Sequence, residues 1–532
     1  MLGRPGKLAP RSWEEAADGA AQLLRDARDK HGAGSVGVIG SSRLTQSEAW
    51  ALRSLAEEVL KTPHFGSASH LAWVPLGLPN PGRYADIGSA DLIVVAGADL
   101  LEENPVLGAR VMSRCKPAGD RPYVSPDIGH LIPPEPAPLV WANSRPSDLA
   151  DAAAVRIQPR PGGEWLLLAA MLRRMVSSGP CQAKGVERAR ESLNNSNIEK
   201  HLAQAGIAPK DAAKAASLLE KAQRPLLIVG RGLWQQEQAG QALAALANLS
   251  LAAEKLKVMQ AAPGANDAGC GEILFPGNGL GYAEMMEAAV SGKIKALVLA
   301  GEDPLRSLPG NGPVSQALSS LEALVVIDCF ASNRAIASAH AVLPIPLPLE
   351  KDGAFRNIEG SLQDFKAAAA PPPEVRGLAD ILSRWAKIMG GSINESGQVK
   401  IPRRTELLEI KFTEPNAKDD AFRLELGTAY PHLAGGELFT EGTPHLAREF
   451  AGGWAELHPD DIAELGIRAG WRARFATEAG KMEMVVRANP RMLSKTIYMP
   501  VHFGANALAP MKFDQELKTP VLRGIPARVE KI

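Results

Sequence analysis

Cysteine is scarce: four in 532 residues, Cys115, Cys181, Cys270 and Cys329, with no C-x-x-C pair. So sparse a set excludes a disulfide-held secreted module and reads as a reduced, cytoplasmic protein. The closely spaced thiolates that a [4Fe–4S] centre takes are missing as well, so no iron–sulfur cluster is expected in this chain. Nor is there an excess of either charge, because 59 Lys and Arg balance 59 Asp and Glu. That balance disfavours a nucleic-acid binder, which draws the phosphate backbone by its net field. No apolar run approaches the ~18 residues of a membrane span, and the opening Met-Leu-Gly-Arg-Pro-Gly-Lys has no apolar core for a signal peptide. Any membrane attachment is therefore expected to be indirect, through partner subunits. His432, His445, His458 and His502 lack metal-ligand spacing, which argues against zinc.

What is present describes a folded chain, 45% hydrophobic and 22% charged. At about 100 to 200 residues per domain its length asks for three or four domains. A buried strand ending near Gly or Asp and flanked by a helix recurs: Ser35–Gly40, Leu92–Gly97, Pro225–Gly230, Ala296–Gly301 and Leu324–Asp328. Ser12-Trp13-Glu14-Glu15 carries the capping-box signature of a helix start. These elements predict two doubly wound α/β domains, one inserted in the other. Pro117 to Pro161 reads as irregular. Near the C-terminus, Trp471–Thr477 and Lys481–Arg487 alternate polar and apolar residues about Glu478-Ala479-Gly480, a hairpin signal within a β-barrel-like domain. The expected boundaries are 1–160 with 295–395 for the first α/β domain, 161–294 for the second, 396–420 for a linker and 421–532 for the barrel.

Four phrases in order resemble the molybdopterin oxidoreductases, a family that includes formate dehydrogenases and the G-type subunit of NADH-quinone oxidoreductase (complex I). They are Gly6-Lys7 with Ser12-Trp13-Glu14-Glu15-Ala16; Ala90-Asp91 through Gly97-Ala98-Asp99 with Glu103-Asn104-Pro105; Gly301-Glu302-Asp303-Pro304 with Glu350-Lys351-Asp352-Gly353 and Asn357-Ile358-Glu359-Gly360; and His458-Pro459-Asp460-Asp461 with Leu465-Gly466. The resemblance implies a cleft for molybdopterin guanine dinucleotide. If that cleft is filled, Gly97, Asp99, Glu103, Asn104, Gly301, Glu302, Asp303, Lys351, Asp352, Asn357, His502 and Asn506 are its expected lining. Gly after a strand is also ordinary turn chemistry, and the Glu350 to Gly360 segment also reads as a solvated loop.

Departures from the family shape the functional expectation. Catalytic relatives place a Cys, selenocysteine, Ser or Asp on the metal in the stretch that here runs Thr62 to Trp73, where only His64, Ser67, Ser69 and His70 are candidates. At the next phosphate-side loop, Pro122 to Asp127, the family usually carries an Asp-Pro-Arg-Arg-like phrase, and that cationic anchor is missing here. Gly230-Arg231-Gly232 and Gly277 to Gly281 have no Walker lysine and read as structural. The family's iron–sulfur domain is not seen ahead of Ser12. No catalytic residue and no metal ligand is therefore assigned. The expectation is a scaffold subunit, resembling the C-terminal part of the G-type subunit of complex I, associated with an iron–sulfur subunit and a flavin/NADH subunit, cytoplasmic and peripheral to the inner membrane. A catalytic formate-dehydrogenase-like α subunit holding Mo or W is the alternative, and a free-standing nucleotide-binding dehydrogenase a third.

Overall fold

The computed structural model describes residues 1–117, 135–178, 181, 183–412, 421–429, 443–449 and 452–532. Pro122 to Asp127 and His432 lie outside the described residues. The chain divides into two compact units, Met1–Pro75 with Gly264–Ile401 and Ala434–Phe450, and Leu76–Pro263 with Pro402–Leu433 and Ala451–Ile532.

In the first unit Val36–Gly40, Phe65–Ser67, Ala296–Ala300, Ala323–Asp328 and Ala341–Pro344 pair as parallel strands, and the hairpin Leu2–Arg4/Lys7–Ala9 adds to the Ala341–Pro344 edge. Numbered along the chain, the parallel strands lie in the order 2-1-3-4-5, a doubly wound arrangement. The Val36, Ala296 and Ala323 strands are fully buried, as parallel strands covered on both faces must be. The helix Trp13–His31 begins at Ser12 with both hydrogen bonds of the capping box, as the sequence predicts, and buries Ala17, Ala20, Ala21 and Leu24. Trp385 packs into this core and donates its indole N–H to Ala17 O at 2.9 Å.

The second unit has an all-parallel sheet in the order Val155–Ile157, Leu139–Ala142, Leu92–Ala96, Pro225–Val229, Lys257–Gln260. The strand Leu92–Ala96, expected in the first α/β domain, thus belongs here, and the inserted stretch starts near residue 76, not 161. The reason is pairing: Leu92–Ala96 hydrogen-bonds along its length to Pro225–Val229 and Leu139–Ala142. Two of these strands lie inside the Pro-rich stretch read as irregular; they have four and three residues, too short for the pattern to stand out. The same unit carries a closed six-stranded barrel of Phe422–Gly427, Thr496–Pro500, Trp454–Leu457, Lys481–Ala488, Arg472–Ala476 and Arg523–Lys531. The expected hairpin is there, with Ala476 opposite Lys481 and Arg472 opposite Val485. Ala473 and Phe475 point into the barrel core with Leu424, Val486 and Ile497, while Arg472 stays exposed, the alternation that a two-residue period imposes.

Candidate functional site

In an open parallel sheet, ligands bind outside the carboxyl ends of the strands, where the strand order reverses. In the second unit that point lies between Leu92–Ala96 and Pro225–Val229, which lead into Gly97 and Gly230. Gly97 has φ +61°, and a Cβ on it would sit 2.9 Å from Leu233 N, so the chain closes up in a conformation that suits only glycine. The next turns bring Asp99, Glu103 and Asn104 into the same place.

Three guanidiniums converge on these residues. Arg145, in the loop after Leu139–Ala142, bonds Asp99 at 3.0 Å and Glu456 at 3.2 Å, and lies over the Tyr498 ring, 3.8 Å from its centroid. Arg231 bonds Glu103 at 2.7 Å and reaches the Thr428 hydroxyl. Arg523, from the last barrel strand, meets Glu164 and Glu425, each at 3.0 Å. Burial pushes the Asp99 carboxyl up to about 7, against the pull of Arg145. Burial also raises the Glu164 carboxyl, with Arg523 opposing. Charges this deep must be paired to be tolerated, and these are. Beside them a polar cleft of ≈ 420 Å³ is bordered by Asp99, Arg145, Glu456 and Arg491.

A pyrophosphate needs uncommitted cations or backbone N–H donors. At this crevice all three guanidiniums pair with carboxylates, while Arg145 Nε and Arg523 Nε are buried without a partner. A Cβ on Gly232 would lie 2.6 Å from Arg523 Cζ, so the guanidinium already fills the space beside the strand end. The other buried atoms without a partner here, Asp99 Oδ1 and Asn104 Oδ1, are acceptors.

The first unit has its own switch point, between Val36–Gly40 and Ala296–Ala300. Gly301 has φ +67°, and its carbonyl accepts from Arg43, which also bonds Asp328 at 3.3 Å. Glu302 accepts from Tyr282 OH at 3.1 Å and from the Ser307 hydroxyl, and burial pushes its carboxyl up to about 7. Asp303 caps the turn Pro304–Ser307 through Leu305 N and also accepts from Arg334 N at 2.8 Å. Lys351 pairs with Glu48 at 2.6 Å, exposed Asp352 pairs with Lys366 at 2.8 Å, and Asn357 Oδ1 accepts from Glu359 N and Ser361 N in a hairpin turn. His502 and Asn506 follow the barrel strand Thr496–Pro500, Asn506 buried.

The structure therefore gathers Gly97, Asp99, Glu103 and Asn104 at one strand end and Gly301, Glu302 and Asp303 at another, while Asp352 and Asn357 serve surface and turn. Arg145, Glu164, Glu425, Glu456 and Arg523 were not singled out by the sequence reading. The segment Pro122 to Asp127, where the cationic phrase was expected, lies outside the described residues. The strand parallel to Leu92–Ala96 is Leu139–Ala142, and Asn143-Ser144-Arg145 follows it. Arg145 pairs with Asp99 and Glu456.

In the stretch from Thr62 to Trp73, Ser67 Oγ accepts from Ser69 N at 3.1 Å. His70 Nε2 donates to Gly271 O at 2.7 Å, with the ring edge-on to Phe275. His64 Nδ1 accepts from Leu280 N at 3.0 Å. Burial lowers the affinity of both imidazoles for a proton. Ser69 Oγ is buried without a partner. Cys115 and Cys329 are pushed up to about 12, and Cys270 well above its ordinary value, by burial, so these remain thiols, not the thiolates that bind metals.

Residues 1–119 and 195–388 match the family model described as molybdopterin oxidoreductase, and 438–526 match the molydopterin dinucleotide binding domain. The chain belongs to the molybdopterin oxidoreductase family. It is 23% identical to "Putative formate dehydrogenase YrhE" of Bacillus subtilis, over 100% of this chain and 63% of that protein. To "F420-dependent formate dehydrogenase 1 subunit alpha" of Methanococcus maripaludis it is 24% identical, over 100% of this chain and 90% of that one. Among solved structures it is similar to acetylene hydratase from Pelobacter acetylenicus, with a TM-score of 0.78 at 16% identity, over 99% of this chain and 91% of that chain; this shows the fold. The dinucleotide-binding match supports a molybdopterin cofactor at the level of the family. Among the described residues no helix is long and apolar enough to cross a membrane.

Proposed function

We propose that this chain is an α-type subunit of a multisubunit electron-transfer oxidoreductase of the formate-dehydrogenase kind, in which it serves as a structural platform while the redox centres sit on other subunits. The observation that carries this reading is the Thr62 to Trp73 stretch. Where catalytic relatives offer a metal ligand, Ser67 here caps its neighbour and His64 and His70 each bond backbone. An assembly of the NADH-quinone type, with iron–sulfur and flavin/NADH subunits beside this one, is a narrower form of the proposal. The formate dehydrogenase relatives favour the formate-dehydrogenase form at least as well. Affinity purification of the tagged chain from its host should bring down a second polypeptide with stoichiometric iron and acid-labile sulfide. A monodisperse chain that reduces an acceptor by itself would sink the proposal.

One observation favours a second reading. Ser69 Oγ is buried without a partner, in the stretch where relatives coordinate the metal. If the chain is a catalytic α subunit with Mo or W, replacing Ser69 by Ala abolishes formate-dependent dye reduction and releases metal; under the platform reading Ser69→Ala leaves the complex unchanged.

A further inference from the structure

The outer wall of the barrel carries cations and indoles that the fold does not use up. In the turn ahead of Arg472–Ala476, Trp471 N donates to Arg468 O at 3.1 Å across Ala469 and Gly470, and Gly470 has φ +85°, as the third position of a type II turn requires. Gly470 N donates to Val486 O and Val486 N to Trp471 O, each at 2.8 Å, so the turn is tied to the Lys481–Ala488 strand. It holds out Trp471, 64% exposed, with the Arg468 guanidinium 5.4 Å from the ring centroid. Cross-strand register continues the face: Arg472 lies opposite Val485, and Val485 opposite Trp454, over whose ring Arg487 stands at 4.0 Å. Arg468 and Arg487 are exposed, and neither makes an ion pair with a described residue. Arg472 comes within 4.0 Å of Glu483, which Arg474 already bonds at 3.1 Å.

An indole this exposed gives the core nothing, whereas Trp and Arg are the side chains that carry binding energy at the centre of protein interfaces. On a chain of zero formal net charge, guanidiniums left without carboxylates call for an anionic complement. Both indoles have a guanidinium over the ring, on a face that a nucleobase would need for stacking, so single-stranded nucleic acid fits poorly. Carboxylates fit, since they take the planar fork of a guanidinium in pairs. We infer that the Arg468 to Arg472 turn and the adjoining barrel wall are a docking surface for an acidic segment of another polypeptide, its carboxylates on the guanidiniums and an apolar side chain against Trp471. The inference does not rest on the platform reading, because a catalytic α subunit would carry the same surface.

Fluorescence anisotropy on the full chain tests it, with a short labelled peptide of repeating Glu-Glu-Leu as the probe. The wild-type chain should bind this peptide saturably and leave the Gln-Gln-Leu counterpart unbound. Trp471→Ala and the double replacement Arg468→Glu/Arg472→Glu should each weaken binding by about tenfold or more, with the melting temperature unchanged because these side chains are exposed. Arg156→Glu, at an exposed arginine elsewhere in the same unit, should leave binding as it is. The double replacement should in turn bind a Lys-Lys-Leu peptide that the wild-type chain does not, a gain that damage to the fold would not produce. No binding of Glu-Glu-Leu by the wild-type chain, equal binding of Gln-Gln-Leu, or an equal loss in Arg156→Glu would overturn the inference. So would tighter binding of oligothymidylate or of phosphatidylglycerol vesicles than of the acidic peptide. No arm depends on metal content or on copurifying subunits, so the result stands apart from the test of the platform reading.

Discussion

Glu302 is an acid kept in an apolar place. Its carboxyl rises from the ordinary 4.5 to about 7 because burial penalises the charged form more than Ser307, Arg43 and Tyr282 relieve it. The sign follows from linkage. The folded state holds the proton more tightly than the unfolded one, so this residue's contribution is fully present below about 4.5, is lost as pH rises towards 7, and changes no further above. Glu302→Gln keeps an acceptor for Tyr282 and Ser307 and removes the ionisation. It should leave stability nearly unchanged at pH 4.5 and raise it at pH 8 by on the order of 3 kcal/mol, read as the wild-type-to-variant difference in melting temperature at the two pH values. An equal difference at both pH values would contradict this. Asp99 shifts in the same direction, which is why the comparison is made against wild type at each pH. None of this was legible in the sequence: Gly301-Glu302-Asp303 reads as a strand-end acid, but that Glu302 faces Tyr282 and Ser307 depends on how the helices Tyr282–Val290 and Pro304–Ser307 pack.

Elements were legible where their signal was long and local. The Trp13–His31 helix announces itself through its capping box, and the Lys481–Ala488 strand through alternation over eight residues. The strand Leu139-Val-Trp-Ala142 does neither. It is four residues long and follows a proline-rich run, so only its two parallel partners make it a strand. That omission left the loop Asn143 to Arg145, and with it Arg145, out of the sequence reading. The strand nevertheless carries Trp141, which is fully buried. Trp141→Ala should cost about 3–5 kcal/mol, seen as an early loss of the second unit's structure in chemical denaturation, because the cavity removes a large side chain from between packed layers. A cost below about 1 kcal/mol would show that this segment is the irregular stretch the composition suggests.

At the scale of the whole molecule, chain order and spatial order part company. The first unit is built from the N-terminal segment, which leaves near Pro75, and a middle segment that returns near Gly264, while the C-terminal barrel belongs to the second unit. A local reading cannot see this, since the strand Leu92–Ala96 looks like its neighbours Val36–Gly40 and Ala296–Ala300 and differs from them only in its partners. The residues recognised by phrase, Asp99, Glu103, Glu302 and Asp303, do lie at strand ends; Asp99 and Glu103 are answered by Arg145 and Arg231 from elsewhere in the chain, whereas Asp303 pairs with Arg306 only three residues on. The family phrases have kept their positions while the side chains around them bond one another. The basis for reading the chain as a platform is the Thr62 to Trp73 stretch, where Ser67 caps its neighbour and His64 and His70 bond backbone. The direct test of that role is elemental analysis of the purified complex, with pterin fluorescence and formate-dependent dye reduction measured on the same sample and molybdenum and tungsten expressed per copy of this chain. A platform should hold metal and pterin far below one per chain; near one Mo or W per chain, with dye reduction that disappears in Ser69→Ala, would contradict it.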